Sequence, residues 1–583
     1  MIARVLLDSE TTQFGIWDTI PRKSHRMMRR KKEGRQIVMI CNDVMRTELQ
    51  RVGRPRGIEK TIQRTFSASW QGGQAVDPSL RPIVSLKSLF PDAQFVGASD
   101  IHCSSCDSHP ECDRTDWVFA AGVSDWSSPD RDVVTAINHG ATAILTEQLL
   151  PSSVPQCIVS SVRDAYAELS LALAGNPCEK ILTIGVVGTH GKTSASLMVA
   201  SMLKRIGKTV SYFTDLGASN GKESGLPCES NADSLAIAEW LQQSVDNQSP
   251  AAVIEMSDDM LRSHAATGME FDVLVFTSLR KCQKSDSLQS RGVENAMSRL
   301  VQQLKPHGVV VYNADDARLN RWIARHQPEA ISYGLDAAAD VSGRRMRAMK
   351  GEQSIMVSAG NCIAPLTSTI LGDHNARHML SAIAVGYTFG LELYETVQGV
   401  ERLQRIPGRM QRVPGDGTRS VYVDVADQAD RLAVALHSLT KDGTPVVCVA
   451  EVPDAATPEQ LAAYGRVLER ASSYVILTQS RRSVRFGQKS VWQVLDGCER
   501  PAAIQIVPNR EAAIEMAIRS SRSGEAILLA GWGASRWTTD RDRQGVSDIE
   551  IGTKLLREFC EEPQLPAIVA EEPSLKIYRG RTA

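Results

Sequence analysis

Aromatic residues are scarce, at 5% of 583 positions, so cores in this chain must be built mainly from Ala, Val, Leu and Ile. No apolar run approaches the roughly 20 residues that a membrane-spanning helix needs, and no span is expected. The chain begins apolar over Met1–Leu7, but Asp8 and Glu10 end the run before a signal-peptide core forms. Twelve cysteines show no secreted-type spacing, which points to a reducing cytoplasm. Internal repeats and low-complexity tracts are also missing. What is present is 42% apolar and 23% charged residues, which excludes whole-chain disorder, collagen and fibrous repeats. The length suits three or four domains.

The formal net charge of −1 is unevenly spread. Residues 1–65 hold 15 Lys/Arg against 7 Asp/Glu, including the run Arg29-Arg30-Lys31-Lys32. Residues 1–80 therefore read as a basic N-terminal extension, and Met27, Met28, Met39 and Met45 are candidate internal starts. A basic arm suits nucleic acid or anionic lipid. The segment lacks helical or strand periodicity, so a solvated, poorly ordered extension with no nucleic-acid partner is expected instead.

Beyond Pro82 the patterning becomes globular. Ile83–Leu86, Val118–Ala121 and Ala143–Leu145 read as strands, with helices over 133–139 and 164–173, giving a small α/β domain at 81–178. Near-continuous apolar strands at 181–187, 252–254, 273–276 and 308–312 alternate with helices. They predict a doubly wound, mostly parallel sheet in a central domain at 179–405. Pro407, Gly408, Pro414 and Gly415 then mark a junction. Strands at 421–423, 446–449, 475–477 and 526–529, with helices at 458–471 and 510–519, predict a second α/β domain at 406–583.

The most informative segment is Gly188-Thr189-His190-Gly191-Lys192-Thr193, set between an apolar strand and a helix. Glycines let backbone amides approach phosphate oxygens, and the helix N-terminus adds positive potential. Lys192 would reach the β/γ-phosphates and the Thr193 hydroxyl would ligate magnesium. The spacing is shorter than the general form, since Val186 stands where the first glycine would be.

This loop resembles that of the Mur ligases, the ATP-dependent amide-forming enzymes of peptidoglycan synthesis and their folate-tailing relatives. The resemblance spans about residues 82–560. It continues through Val253-Ile254-Glu255-Met256-Ser257, Phe276-Thr277-Ser278-Leu279, Asn313-Ala314-Asp315-Asp316, Gly372-Asp373-His374-Asn375-Ala376, Pro407-Gly408-Arg409-Met410 and Asp424-Val425-Ala426. It implies a three-domain α/β fold with a central phosphate loop and a C-terminal Rossmann-like domain. It further implies ATP and Mg2+, with Lys192 and Glu255 catalytic and Thr193 and Glu255 as metal ligands. The nucleotide would lie against Gly188, Thr189, His190, Gly191, Lys192, Thr193, Asn375, Arg409 and Asp424. The N-terminal pieces Asp116–Gly122, Asp130 and Ala136–Ala141, and the C-terminal pieces Asn509–Ile514, Leu529–Gly533 and Asp548-Ile549-Glu550, look most like the tripeptide-forming branch. The implied reaction joins an amino acid to a UDP-muramoyl-peptide through an acyl phosphate, in a monomeric cytoplasmic enzyme.

Several family elements are altered. Asp258-Asp259 stands where a serine–histidine pair is usual, Asp427 replaces a histidine, and the branch's specificity motif reads Gln479-Ser480-Arg481-Arg482-Ser483. Gly531–Ser535 replaces a glycine-lysine-glycine-histidine-glutamate element. By ungapped count, Gln283 and Met297 occupy the positions of a histidine and of a carbamylated lysine that holds a second magnesium. On that count, Met297→Lys is expected to raise turnover, with Asp258 or Asp286 as substitute ligands if turnover is already brisk. A degenerate relative that binds nucleotide or UDP-sugar peptide without ligating is the alternative. Cys103, Cys106, His109 and Cys112 could close a zinc knuckle, although a reduced Cys-rich loop is the simpler expectation. His264, His374 and His378 are expected to be structural, and Asp315-Asp316 to cap a helix.

Overall fold

The computed structural model describes residues 82–561, apart from 113, 124–128, 206–208, 227–232, 280–286, 350, 416–418, 455, 480–486 and 538–544. The basic extension, Gln283, Asp286 and Ser480–Ser483 lie outside the described residues.

Seven short strands come first: β1 (Val84–Ser85), β2 (Gln94–Val96), β3 (His102–Cys103), β4 (Ser105–Asp107), β5 (Trp117–Ala120), β6 (Ala141–Thr146) and β7 (Gln156–Ile158). β1 pairs with β3, and the other five form a sheet in the order β2-β7-β6-β5-β4. Every residue of β5 is buried, as befits a parallel strand covered on both faces. Helix α1 (Val162–Leu173), capped by the Ser161 hydroxyl, buries Tyr166 and Leu169 against this sheet. The strand expected at Ile83–Leu86 is shorter. Ser85 accepts the amide of Ser88, and the chain turns helical at Leu86.

The central sheet contains β8 (Leu182–Val187), β9 (Ser211–Thr214), β10 (Gly217–Ser219), β11 (Ser224–Leu226), β12 (Ala251–Glu255), β13 (Phe271–Phe276), β14 (Leu304–Asn313), β15 (Ala330–Gly334), β16 (Val341–Met346), β17 (Gln353–Ala359) and β18 (Cys362–Ser368). Its order is β11-β10-β9-β12-β8-β13-β14-β15-β16-β17-β18, parallel from β9 to β16 and antiparallel at both ends. Alternation along β8 sends Ile184 and Val186 into one core and Val187 into the other. Helices α2 (Lys192–Leu203), α3 (Ser234–Asp246), α4 (Asp258–Arg262), α5 (Ser287–Gln302), α6 (Ala317–His326), α7 (Asp373–Thr388) and α8 (Leu393–Glu401) cover the two faces. The antiparallel extension β16–β18 was not anticipated. At its border, the amide of Thr367 donates to Glu401 of α8 at 2.9 Å.

A third sheet, β19 (Gln411–Arg412), β20 (Ser420–Asp424), β21 (Val446–Glu451), β22 (Tyr474–Thr478), β23 (Ile504–Ile506) and β24 (Ala526–Ala530), has the order β19-β20-β24-β21-β22-β23. Helices α9 (Ala429–Thr440) and α10 (Pro458–Ala471) pack on one face, and α11 (Arg510–Ser520) and α12 (Asp548–Glu561) on the other. The chain thus adopts the expected α/β architecture. Among the described residues no helix is long and apolar enough to cross a membrane.

Candidate functional site

The phosphate-loop segment turns between β8 and α2. Gly191, the N-cap of α2, has φ +82°, and a Cβ there would stand 2.0 Å from Nε2 of His378. Only glycine fits this position. The strand end Thr277-Ser278 fixes the loop from the other side. Thr277 Oγ1 donates to the His190 carbonyl at 2.7 Å, while Ser278 Oγ accepts the His190 amide at 3.0 Å and bonds Thr189 Oγ1 at 3.0 Å. Asn313 donates to the Thr277 carbonyl at 3.1 Å, and Asp316 accepts the Leu279 amide at 2.8 Å. Three of the sequence elements are therefore brought onto one loop.

Lys192 Nζ donates to the Gly188 carbonyl and to Asp258 Oδ1, each at 3.0 Å. The Thr193 hydroxyl donates to Glu255 Oε1 at 2.8 Å, and the Asp215 amide to Glu255 Oε2 at 3.0 Å. Burial, reinforced by Asp215, pushes the Glu255 carboxyl up to about 7. A hydroxyl and a buried carboxylate side by side are hard oxygen donors, and two protein ligands match the way magnesium binds, completed by water and phosphate. Thr193 and Glu255 fit the ion.

The remaining candidates lie nearby or at the domain junction. Asn375 is fully buried, donating to the Leu371 carbonyl at 2.8 Å, with Oδ1 3.4 Å from Nδ1 of His378. Arg409 adjoins Asp424, whose carboxylate accepts the amides of Met410 and Ala426 at 2.7 and 3.0 Å. Burial raises the Asp424 carboxyl against the pull of Arg409. Asp316 caps α6, as expected, while Asp315 accepts three amides from 335–337 and pairs with Arg377 at 2.6 Å.

Met297 does not stand in this site. It is fully buried on α5, in an apolar core with Phe276, Leu300 and Trp322. The ungapped count set it opposite the phosphates, but the helix turns it into the core. The zinc knuckle does not form either. Cys103 and Cys106 are core residues, Cys112 donates to Asp107 at 3.2 Å, and His109 points largely to solvent. Among the described residues no group of three or more His, Cys, Asp or Glu is placed to hold a metal. His264 bonds Asp164 of α1 at 2.9 Å, a structural contact, whereas His378 walls the loop. The sequence carried no signal for that wall or for the Lys192–Asp258 pair.

Residues 186–386 match the Mur ligase middle domain and residues 408–533 match the Mur ligase, glutamate ligase domain. The chain belongs to the Mur ligase family. A UDP-N-acetylmuramoyl-L-alanyl-D-glutamate–2,6-diaminopimelate ligase from Geobacter metallireducens is 26% identical over 429 residues, covering 69% of this chain and 83% of the relative. The ligase of the same name from Chlorobaculum tepidum is 28% identical over 418 residues, covering 68% and 81%. Among solved structures, one of a ligase with that name aligns with a TM-score of 0.60 at 19% identity, over 82% of this Mur ligase chain and 100% of the other. MurF from Acinetobacter baumannii aligns at 0.55 and 14%, over 77% and 96%. Both likenesses concern the fold.

Proposed function

We propose that this chain is an ATP-dependent acid–amino-acid ligase that extends a UDP-N-acetylmuramoyl-peptide by one amino acid, by way of an acyl phosphate. The observation that carries the reading is the Thr193–Glu255 contact beneath a glycine-turned phosphate loop, in a chain matched to both the middle and the glutamate ligase domains. Chemistry of this kind depends chiefly on holding two reactants in line and offsetting crowded negative charge. Loop amides and the α2 N-terminus would receive the phosphates, and Lys192 would leave Gly188 and Asp258 to meet them. Magnesium, when bound, supplies charge neutralisation, and Thr193 and Glu255 are the side chains that would hold it. Arg409 and Asp424 sit where the last two domains join and would meet the nucleotide from that side. The named relatives support the muramoyl-peptide as the acid substrate and a diamino acid as one candidate amine.

A second reading, binding without ligation, draws support from the Lys192–Asp258 ion pair, which occupies the lysine and sets a carboxylate where phosphate would have to arrive. Phosphate release from ATP, tested with UDP-muramoyl-dipeptide and a panel of amino acids, separates the two. Release that needs both co-substrates supports the ligase. Tight ATP·Mg binding without release supports the binder.

A further inference from the structure

The third sheet and its helices enclose a buried charge cluster that the phosphate site does not use. Arg510, at the start of α11, is 4% exposed and grips Asp548 through two hydrogen bonds of 2.8 and 2.6 Å. Trp537 Nε1 donates to the same carboxylate at 3.0 Å. Arg510 also reaches the Ala530 carbonyl at 3.1 Å and the Thr478 hydroxyl at 3.2 Å. Thr478 in turn donates to Glu451 Oε2 at 2.6 Å, and Arg510 Nη1 lies 3.5 Å from that oxygen. One guanidinium thus serves two carboxylates, and Asp548 takes its strong bidentate face. Glu451 is the carboxylate left over.

Its other oxygen has no partner. Glu451 is 8% exposed, and Oε1 is buried without a hydrogen bond. A buried, unmatched carboxylate oxygen is costly in a folded protein, and a cationic donor relieves the cost.

The position favours a ligand. Glu451 ends β21, beside the end of β24. The helix after β21 packs on one face of the sheet and the helix after β24 on the opposite face. Two adjacent strands whose following helices leave to opposite faces form a topological switch point, and it is at the carboxyl edge of such a point that open α/β sheets generally take their ligands. The residue following β24 is Gly531, with φ +116°, and a Cβ there would come within 2.5 Å of Glu451 Cβ. Its amide donates to the Asp424 carbonyl at 3.1 Å, and Gly533 packs beside Gly408 and Val425. Glu451 therefore shares the carboxyl edge of this sheet with Asp424, which ends β20.

We propose that Glu451 anchors the ammonium group of the incoming amino acid, with Thr478 and Arg510 holding its carboxylate in place. That the ammonium belongs to a co-substrate rests on the ligase reading; the unpartnered carboxylate oxygen that would receive a cation does not.

The test is calorimetry on the full chain with magnesium and a non-hydrolysable ATP analogue, titrating meso-2,6-diaminopimelate, L-lysine, L-alanine and their N-acetylated forms. Binding of a free amine but not of its N-acetylated form, weakened about tenfold or more by Glu451→Gln with unchanged analogue affinity, is the expected result. Glu451→Asp, which keeps the charge but withdraws it, should fall between the two. Glu451→Gln or Glu451→Asp binding the amine as well as the wild type overturns the anchor, as does a wild type that binds no amine. Phosphate release from ATP, measured on the same protein variants with UDP-muramoyl-dipeptide and the amino acid present, judges the ligase reading separately. Release that Glu451→Gln leaves unchanged keeps that reading and removes the anchor, and Glu451-dependent amine binding without release does the reverse.

Discussion

The ammonium of Lys192 is shared equally between the Gly188 carbonyl and the carboxylate of Asp258, at 3.0 Å from each. Asp258 is more than half exposed, so the pair contributes within about 1 kcal/mol. It nonetheless places a negative charge where phosphate must arrive. Asp258→Ser should tighten ATP·Mg binding by about two- to fivefold, and Lys192→Ala should abolish it in a chain that stays folded. Titration of both variants with a fluorescent ATP analogue checks this. Equal affinity for Asp258→Ser and wild type would show that the carboxylate swings aside freely.

Gly191→Ala adds a Cβ where His378 Nε2 stands, in a backbone conformation that costs an L-residue about 1–2 kcal/mol. Nucleotide binding should fall by at least about tenfold, because the loop must part from the ring. The double variant Gly191→Ala with His378→Ala removes the clash but keeps the backbone strain, so it should regain part of the loss. A double-mutant cycle that is strictly additive would refute contact between the two residues.

Met297→Lys should not create a ligase. The new ammonium would sit in an apolar core of Leu300, Phe276 and Trp322, at a cost of several kcal/mol. The measurable outcome is a thermal midpoint lowered by several degrees with no gain in phosphate release. A gain in release would return this position to the site.

Asp373, at the start of α7, accepts Arg345 at 2.9 Å and Lys441, the residue following α9, at 3.0 Å. Burial opposes its ionisation, yet the two cations hold the carboxyl down at about 2. A carboxyl lowered in the folded state adds stability that is complete above the unfolded value near 4. That stability is lost as pH falls toward 2, and amounts to about 2 kcal/mol. Asp373→Asn should therefore be less stable at pH 6 by roughly that amount and should converge with wild type near pH 2. Urea midpoints across this range decide it, and a gap that persists at the acid end would assign the loss to packing.

The strands were legible because burial on both faces writes itself as apolar runs, as at β8 and β21. The phosphate loop was legible because its glycines and its lysine–threonine pair are local. His378 against Gly191, and Glu451 beside Arg510, join residues far apart in the chain, and no periodicity reports such meetings. Met297 misled for the opposite reason. Counting from a motif fixes a position along the chain, while the turn of α5 decides which way it faces. The arm β16–β18 carries period-two burial, Ile355-Val357-Ala359 against Ala364-Leu366-Ser368, but its serine-rich strands dilute the pattern.

The border of the central sheet at β18 has one more consequence. Thr367 turns its amide outward to Glu401, so the outward position two residues earlier falls to Pro365, which has no amide to offer. One docking point for a foreign strand is occupied and the next does not exist. An unfolded neighbour meeting this margin finds two successive outward amides missing, which weakens the template that the ribbon of strands offers to its own kind.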